Sequence, residues 1–150
     1  MKKTIACIAL AAALALTGCG GASTSPTGTT DSKAAEEAPK KAPDLTGGWK
    51  QSNPNSEKSY QQATITADKV TVEWVTDGGN STSIYWVGTF VAPTDASEPY
   101  AWTSQRDVEA TQSALLASSD ATKEFTYRDG TISYKVSALG TTTTVNLKKN

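Results

Sequence analysis

Asp129-Gly130 stands between two runs in which apolar and polar residues alternate one by one, and that arrangement leaves the chain few folds to choose from. Before it, Phe125 and Tyr127 alternate with Glu124, Thr126 and Arg128; after it, Ile132, Tyr134 and Val136 occupy every second position. A period of two is the pattern of a half-buried strand. Asp-Gly supplies the positive φ that both central residues of a type I′ hairpin turn require. The same period recurs upstream, where Val70, Val72 and Trp74 alternate with Thr71 and Glu73. Ile84, Trp86 and Phe90 alternate with Tyr85, Val87 and Val91, so both faces of this run are apolar. That predicts a strand covered on each side, with Tyr85 and Trp86 on opposite faces.

Three further strands are predicted at Thr46–Gln51, Tyr60–Thr66 and Thr141–Leu147, with turns at Asp77–Asn80 and Ala138–Gly140. The stretch Asp107–Ser118 permits a short helix capped by Ser104 or Asp107, or a strand through Ala114-Leu115-Leu116-Ala117. The evenly spaced strands around it favour the strand. The total is about eight short antiparallel strands, an all-β fold closed as a small barrel or packed as a β-sandwich. Closure removes the exposed edges that would otherwise pair with other chains. All four tryptophans, five tyrosines and two phenylalanines lie beyond residue 44, so residues 45–150 form the one domain with a core.

The first 44 residues differ in kind. Lys2-Lys3, an apolar run from Ile5 to Leu16, and then Leu16-Thr17-Gly18-Cys19 form the three parts of an export signal ending in a cysteine. The run is too short to span a bilayer, which takes about 20 apolar residues. This pattern resembles the lipobox of exported bacterial lipoproteins. The resemblance implies a signal peptide at 1–18, cleavage before Cys19, and acyl chains, palmitate among them, on that cysteine. Two or more chains give stable anchoring, since each buried methylene contributes about 0.8 kcal/mol. Residues 19–44 then form the lipidated cysteine and a disordered linker, rich in Gly, Ala, Ser, Thr, Pro, Lys and Glu and poor in anything that packs. Such a coil reaches about 25–30 Å. The expected location is the cell membrane, lipid-anchored on its extracytoplasmic face. Of the two cysteines, Cys7 leaves with the signal, so the domain holds together without a disulfide.

Two further likenesses concern the domain. Gly47-Gly48-Trp49 resembles the Gly-x-Trp start of lipocalins, in which the indole closes the barrel floor beneath a basic residue of the last strand. Lys148 or Lys149 would supply that residue here. The family's Thr-Asp-Tyr motif is missing, and the domain is shorter than most lipocalins. The blocks Ile84–Phe90, Tyr100–Ser104 and Ala114–Gly140 are similar to small lipoproteins of actinobacteria and their prophages. This likeness implies a shared fold and location but no activity.

The chain contains no histidine, which removes the Ser-His-Asp triad, Cys-His chemistry and the commonest metal ligand. With Cys19 acylated, thiolate zinc sites go as well. No Gly-rich phosphate loop is present. Asp107 with Glu109, and Asp120 with Glu124, are the remaining carboxylate pairs and read as solvated loop acids. Fourteen basic against fifteen acidic residues leave a net charge of −1, with no basic stripe for nucleic acid. No enzyme, cofactor, metal or nucleic-acid partner is expected. The aromatic residues carry the positive signal. Trp49, Trp74 and Trp86 are assigned to the core, and Tyr85, Tyr100 and Trp102 to a ligand or partner surface. Tyr100 and Trp102 share a face two residues apart, near a rim. The expected function is a monomeric, non-catalytic binding module for a small apolar or envelope ligand. The alternative is a protein-interaction factor, such as a prophage-encoded superinfection-exclusion lipoprotein that meets a phage protein.

Overall fold

A computed structural model describes residues 41–138 and 140–150. The signal peptide and linker expected from the sequence, with Cys19, lie outside the described residues as far as residue 40. The strands are β1 (Gly47–Gln51), β2 (Tyr60–Ile65), β3 (Lys69–Thr76), β4 (Ser81–Thr89), β5 (Tyr100–Gln105), β6 (Thr122–Arg128), β7 (Thr131–Ala138) and β8 (Thr141–Lys149), with a short α-helix, α1 (Val108–Thr111), and a 3-10 turn at Asp77–Gly79. They form a single eight-stranded antiparallel sheet in the order β4-β3-β2-β1-β8-β7-β6-β5. The first strand pairs with the last (Trp49 opposite Lys149), and the sheet curls into a nearly closed barrel.

The Asp-Gly hairpin forms as its chemistry requires. Asp129 and Gly130 have φ of 48° and 72°, and Arg128 pairs with Thr131 across the turn. The fifth strand differs from expectation. It runs over Tyr100–Gln105, and Asp107–Ser118 is not a strand. Its first residues make the single turn α1, whose first turn Asp107 caps by accepting the Ala110 N–H at 3.1 Å. The physical reason is the seam between β4 and β5. No ladder joins β4 to β5 among the described residues, and an isolated bridge ties Gly88 to Arg106, the residue after β5. The chain beyond β5 completes the edge instead, with the Asp107 N–H donating to Val87 O and the Ser118 N–H to Tyr85 O, both at 2.8 Å.

A second difference lies in β4. Val72 pairs with Trp86 but Glu73 pairs with Ile84, so Tyr85 is the extra residue of a β-bulge. A bulge re-aims side chains, and here Tyr85 and Trp86 both enter the one core cluster instead of opposite faces. Val87 is buried as well, where α1 packs against β4. Trp49 and Trp86 are fully buried and Trp74 packs half-buried at the margin of the core.

Candidate site at the open end of the barrel

The two ends of the barrel differ. At the end where the chain arrives, Leu45 and Trp49 fill the floor, both 2 % exposed. The Trp49 indole N–H donates to Leu45 O at 2.9 Å. Lys149 Nζ lies 5.9 Å from the Trp49 ring centroid and donates to Asp44 O at 2.8 Å. The β2–β3, β4–β5 and β6–β7 connections meet at this end, where the Asp129 N–H donates to Glu98 Oε2.

Above the floor the interior is filled by rings. Tyr100, Trp102 and Phe125 stack in succession, with centroids 5.8 and 5.0 Å apart. Phe125 leads to Tyr134 at 5.0 Å, Tyr134 to Tyr85 at 6.5 Å, and Tyr85 to Trp74 edge-on at 5.6 Å. This series runs from floor to mouth. It also separates the aromatic residues picked from the sequence. Tyr100 and Trp102 do share a face, but at the floor end. Trp102 is 5 % exposed, and Tyr100 is half-buried with its hydroxyl donating to Val91 O. Burial raises the Tyr100 phenol above its ordinary pKa, so it remains a donor. Tyr85 lies at the opposite, open end.

At that open end, two clefts of about 340 and 290 Å³ flank Trp74 and Val136, which line both. Tyr85, Leu116, Ser118 and Asp120 complete the first; Gln51, Asn55, Ser56 and Thr143 wall the second. A depression of about 350 Å³ on the outside of the sheet is as large, but it is lined mainly by outward polar side chains of β6–β8 such as Thr126, Ser133 and Lys135. Size alone therefore does not choose the site; the half-buried indole does.

Each wall is held in place. Asn53 docks the β1–β2 loop onto β8, donating to Thr144 O at 3.0 Å and accepting the Asn146 N–H at 2.9 Å. Lys123, 6 % exposed, points into the barrel with its ammonium 5.2 Å from both the Tyr85 and the Trp86 ring centroids. It pairs with Asp120 at 3.0 Å. The Ser118 hydroxyl, and then Lys123, hold the Asp120 carboxyl below its ordinary pKa. Gln61 is the first inward residue of β2, fully buried and opposite Trp74 in the β2–β3 register. Its Oε1 accepts the Tyr134 hydroxyl, and its backbone N–H donates to Gln51 Oε1 at 2.8 Å. Burial, with Tyr85 beside it, pushes the Tyr134 phenol well above the ordinary value. Gln61 Nε2 has no acceptor.

The sequence reading missed Gln61, Lys123 and Val136, and it placed Trp74 in the core alone. One signal for Trp74 was present: it is the last inward residue of its strand before the Asp77 turn, hence at a rim. Among the described residues no group of three or more acids, histidines or cysteines gathers as a metal site, and no helix is long and apolar enough to cross a membrane. No protein-family model, curated protein or solved structure matches this chain.

Proposed function

We propose that this chain is a non-catalytic binding module, held on the extracytoplasmic face of the cell membrane by lipid on Cys19, that takes its ligand at the open end of the barrel. One observation carries the binding half of this reading: the half-buried Trp74 lines two clefts at the mouth. Ligand sites favour barrel mouths, with aromatic walls and a few placed polar groups. The filled interior argues against a deep calyx, so the ligand lies across the mouth. The lipobox-like Leu16–Cys19 carries the location.

The exposed leucines favour a second reading. Leu115 is 100 % and Leu116 54 % exposed, on the segment beside the same mouth. An apolar pair of this kind suits a protein partner, and in a prophage lipoprotein that partner is an incoming phage protein.

The test joins location to the mouth. Labelled palmitate is incorporated into the wild type and not into Cys19→Ser, which leaves the membrane fraction. A ligand screen on the full chain returns compounds that shift Trp74 fluorescence. A Cys19→Ser chain that stays membrane-bound overturns the anchor. Hits that never move Trp74, with a phage-challenge phenotype lost in Leu115→Ser/Leu116→Ser, transfer the function to the second reading.

A further inference from the structure

We infer that the ligand class of this mouth is a neutral oligosaccharide, bound with a sugar ring against Trp74 and its hydroxyls on the surrounding amides and alcohols. This rests on the mouth being the ligand site and adds the chemistry of the occupant.

The lining decides the class. Asn55, Ser56 and Thr143 carry groups that can both donate and accept, while Gln51, Ser118 and Ser137 are bonded to Asn53 and Gln61, to Asp120, and to Thr142. A polyhydroxylated ligand offers the matching mixture at every carbon. Among the described residues lining the two clefts the only carboxylate is Asp120, and Lys123 neutralises it at 3.0 Å. A charged ligand therefore finds no unpaired counter-charge there. An apolar ligand would have to desolvate Asn55, Ser56 and Thr143 without replacing their bonds to water, which is costly.

Two features then suit a sugar in particular. The face of a pyranose that carries axial C–H bonds packs on an aromatic ring, while its equatorial hydroxyls project sideways. Trp74 provides such a ring, fixed by its edge-on contact with Tyr85 at 5.6 Å and 73°. Trp74 lines both clefts, which suits successive units of a chain rather than one. Beside Trp74 in the register lies Gln61, fully buried, whose Nε2 donor has no partner although its Oε1 is fixed by Tyr134. A buried amide donor left unpaired costs about 1–3 kcal/mol; Gln61 lines neither cleft, so its signal reports on a ligand through its register neighbour Trp74.

The experiment titrates the full-length chain in detergent with maltotetraose, cellotetraose and chitotetraose, and separately with a fatty acid. It follows the Trp74 indole N–H and the Gln61 side-chain amide by NMR. At least one saccharide is expected to shift both signals saturably. Trp74→Ala should weaken that binding about ten-fold or more without changing the thermal midpoint beyond a few degrees. Gln61→Glu, and Ser56→Ala should Gln61→Glu fail to fold, should weaken it less. Saccharide binding that survives Trp74→Ala unchanged overturns the inference. If the fatty acid moves Trp74 and no saccharide does, the inference falls while the mouth remains the site. If neither moves it, both fall together.

Discussion

Gly88 shows how closely the seam of the barrel is drawn. A Cβ at this position would lie 2.7 Å from Trp86 Nε1 and closer still to Gln105 O and Ser104 Oγ. The backbone carbonyl cannot swing aside, and the Trp86 indole is bound to Ser104 Oγ at 3.0 Å. Gly88→Ala is therefore expected to destabilise the domain by about 2–3 kcal/mol, read as a lower urea midpoint at unchanged slope. Asp120 makes a different kind of contribution. Its folded pKa is depressed, so the stability it supplies is fully present above the unfolded carboxylate value near 3.8 and disappears as pH falls through the lower folded value. Its side chain is 59 % exposed and solvent screens the pair. Asp120→Asn should then cost about 0.5–1 kcal/mol at pH 7. Denaturation curves of wild type and variant should draw together as pH falls below the unfolded carboxylate value; a gap that persists once both forms are protonated would assign the effect to packing.

The β6–β7 hairpin and the segment from Arg106 to Asp120 represent opposite extremes of legibility. The hairpin is local: two residues with positive φ determine it, and nothing lies within 4 Å of a Cβ built on Gly130. Gly130→Ala should accordingly cost only the left-handed conformation, about 1 kcal/mol, with the fold intact by circular dichroism. A loss several times larger would mean that the turn also packs. The segment after β5 has no such local determinant. Its alanines and leucines suited either regular structure, and its conformation follows from two vacant carbonyls on β4, those of Tyr85 and Val87. The β4 bulge is equally non-local. One extra residue against β3 turned Tyr85 inward, which no alternation within β4 could foretell.

Across the whole barrel, the aromatic series from Tyr100 to Trp74 ties the interior together from one end to the other. Offset and edge-on ring pairs add about 0.5–1.5 kcal/mol each beyond their buried area. Trp102 stands within it, stacked on Tyr100 and Phe125 and edge-on to Phe90 at 5.2 Å. Trp102→Ala should cost about 3–5 kcal/mol and remove the cooperative unfolding transition or lower it sharply. Trp74→Ala, at the open end, should leave that transition nearly in place. A Trp102→Ala protein as stable as wild type would show that its ring belongs to a surface and not to the interior.

Alternation and the Asp-Gly turn were enough to establish an all-β domain of about eight antiparallel strands, because both act between residues a few positions apart. Six strand pairs join chain neighbours, and their register follows from side-chain period and turn length. The choice of barrel over sandwich came from β1 meeting β8, a contact between segments nearly a hundred residues apart. The mouth came from the same closure. Trp74, Tyr85 and Val136 sit on three different strands, with Gln61 buried opposite Trp74 on a fourth, and no spacing within any one of them records that curling the sheet gathers them at one end.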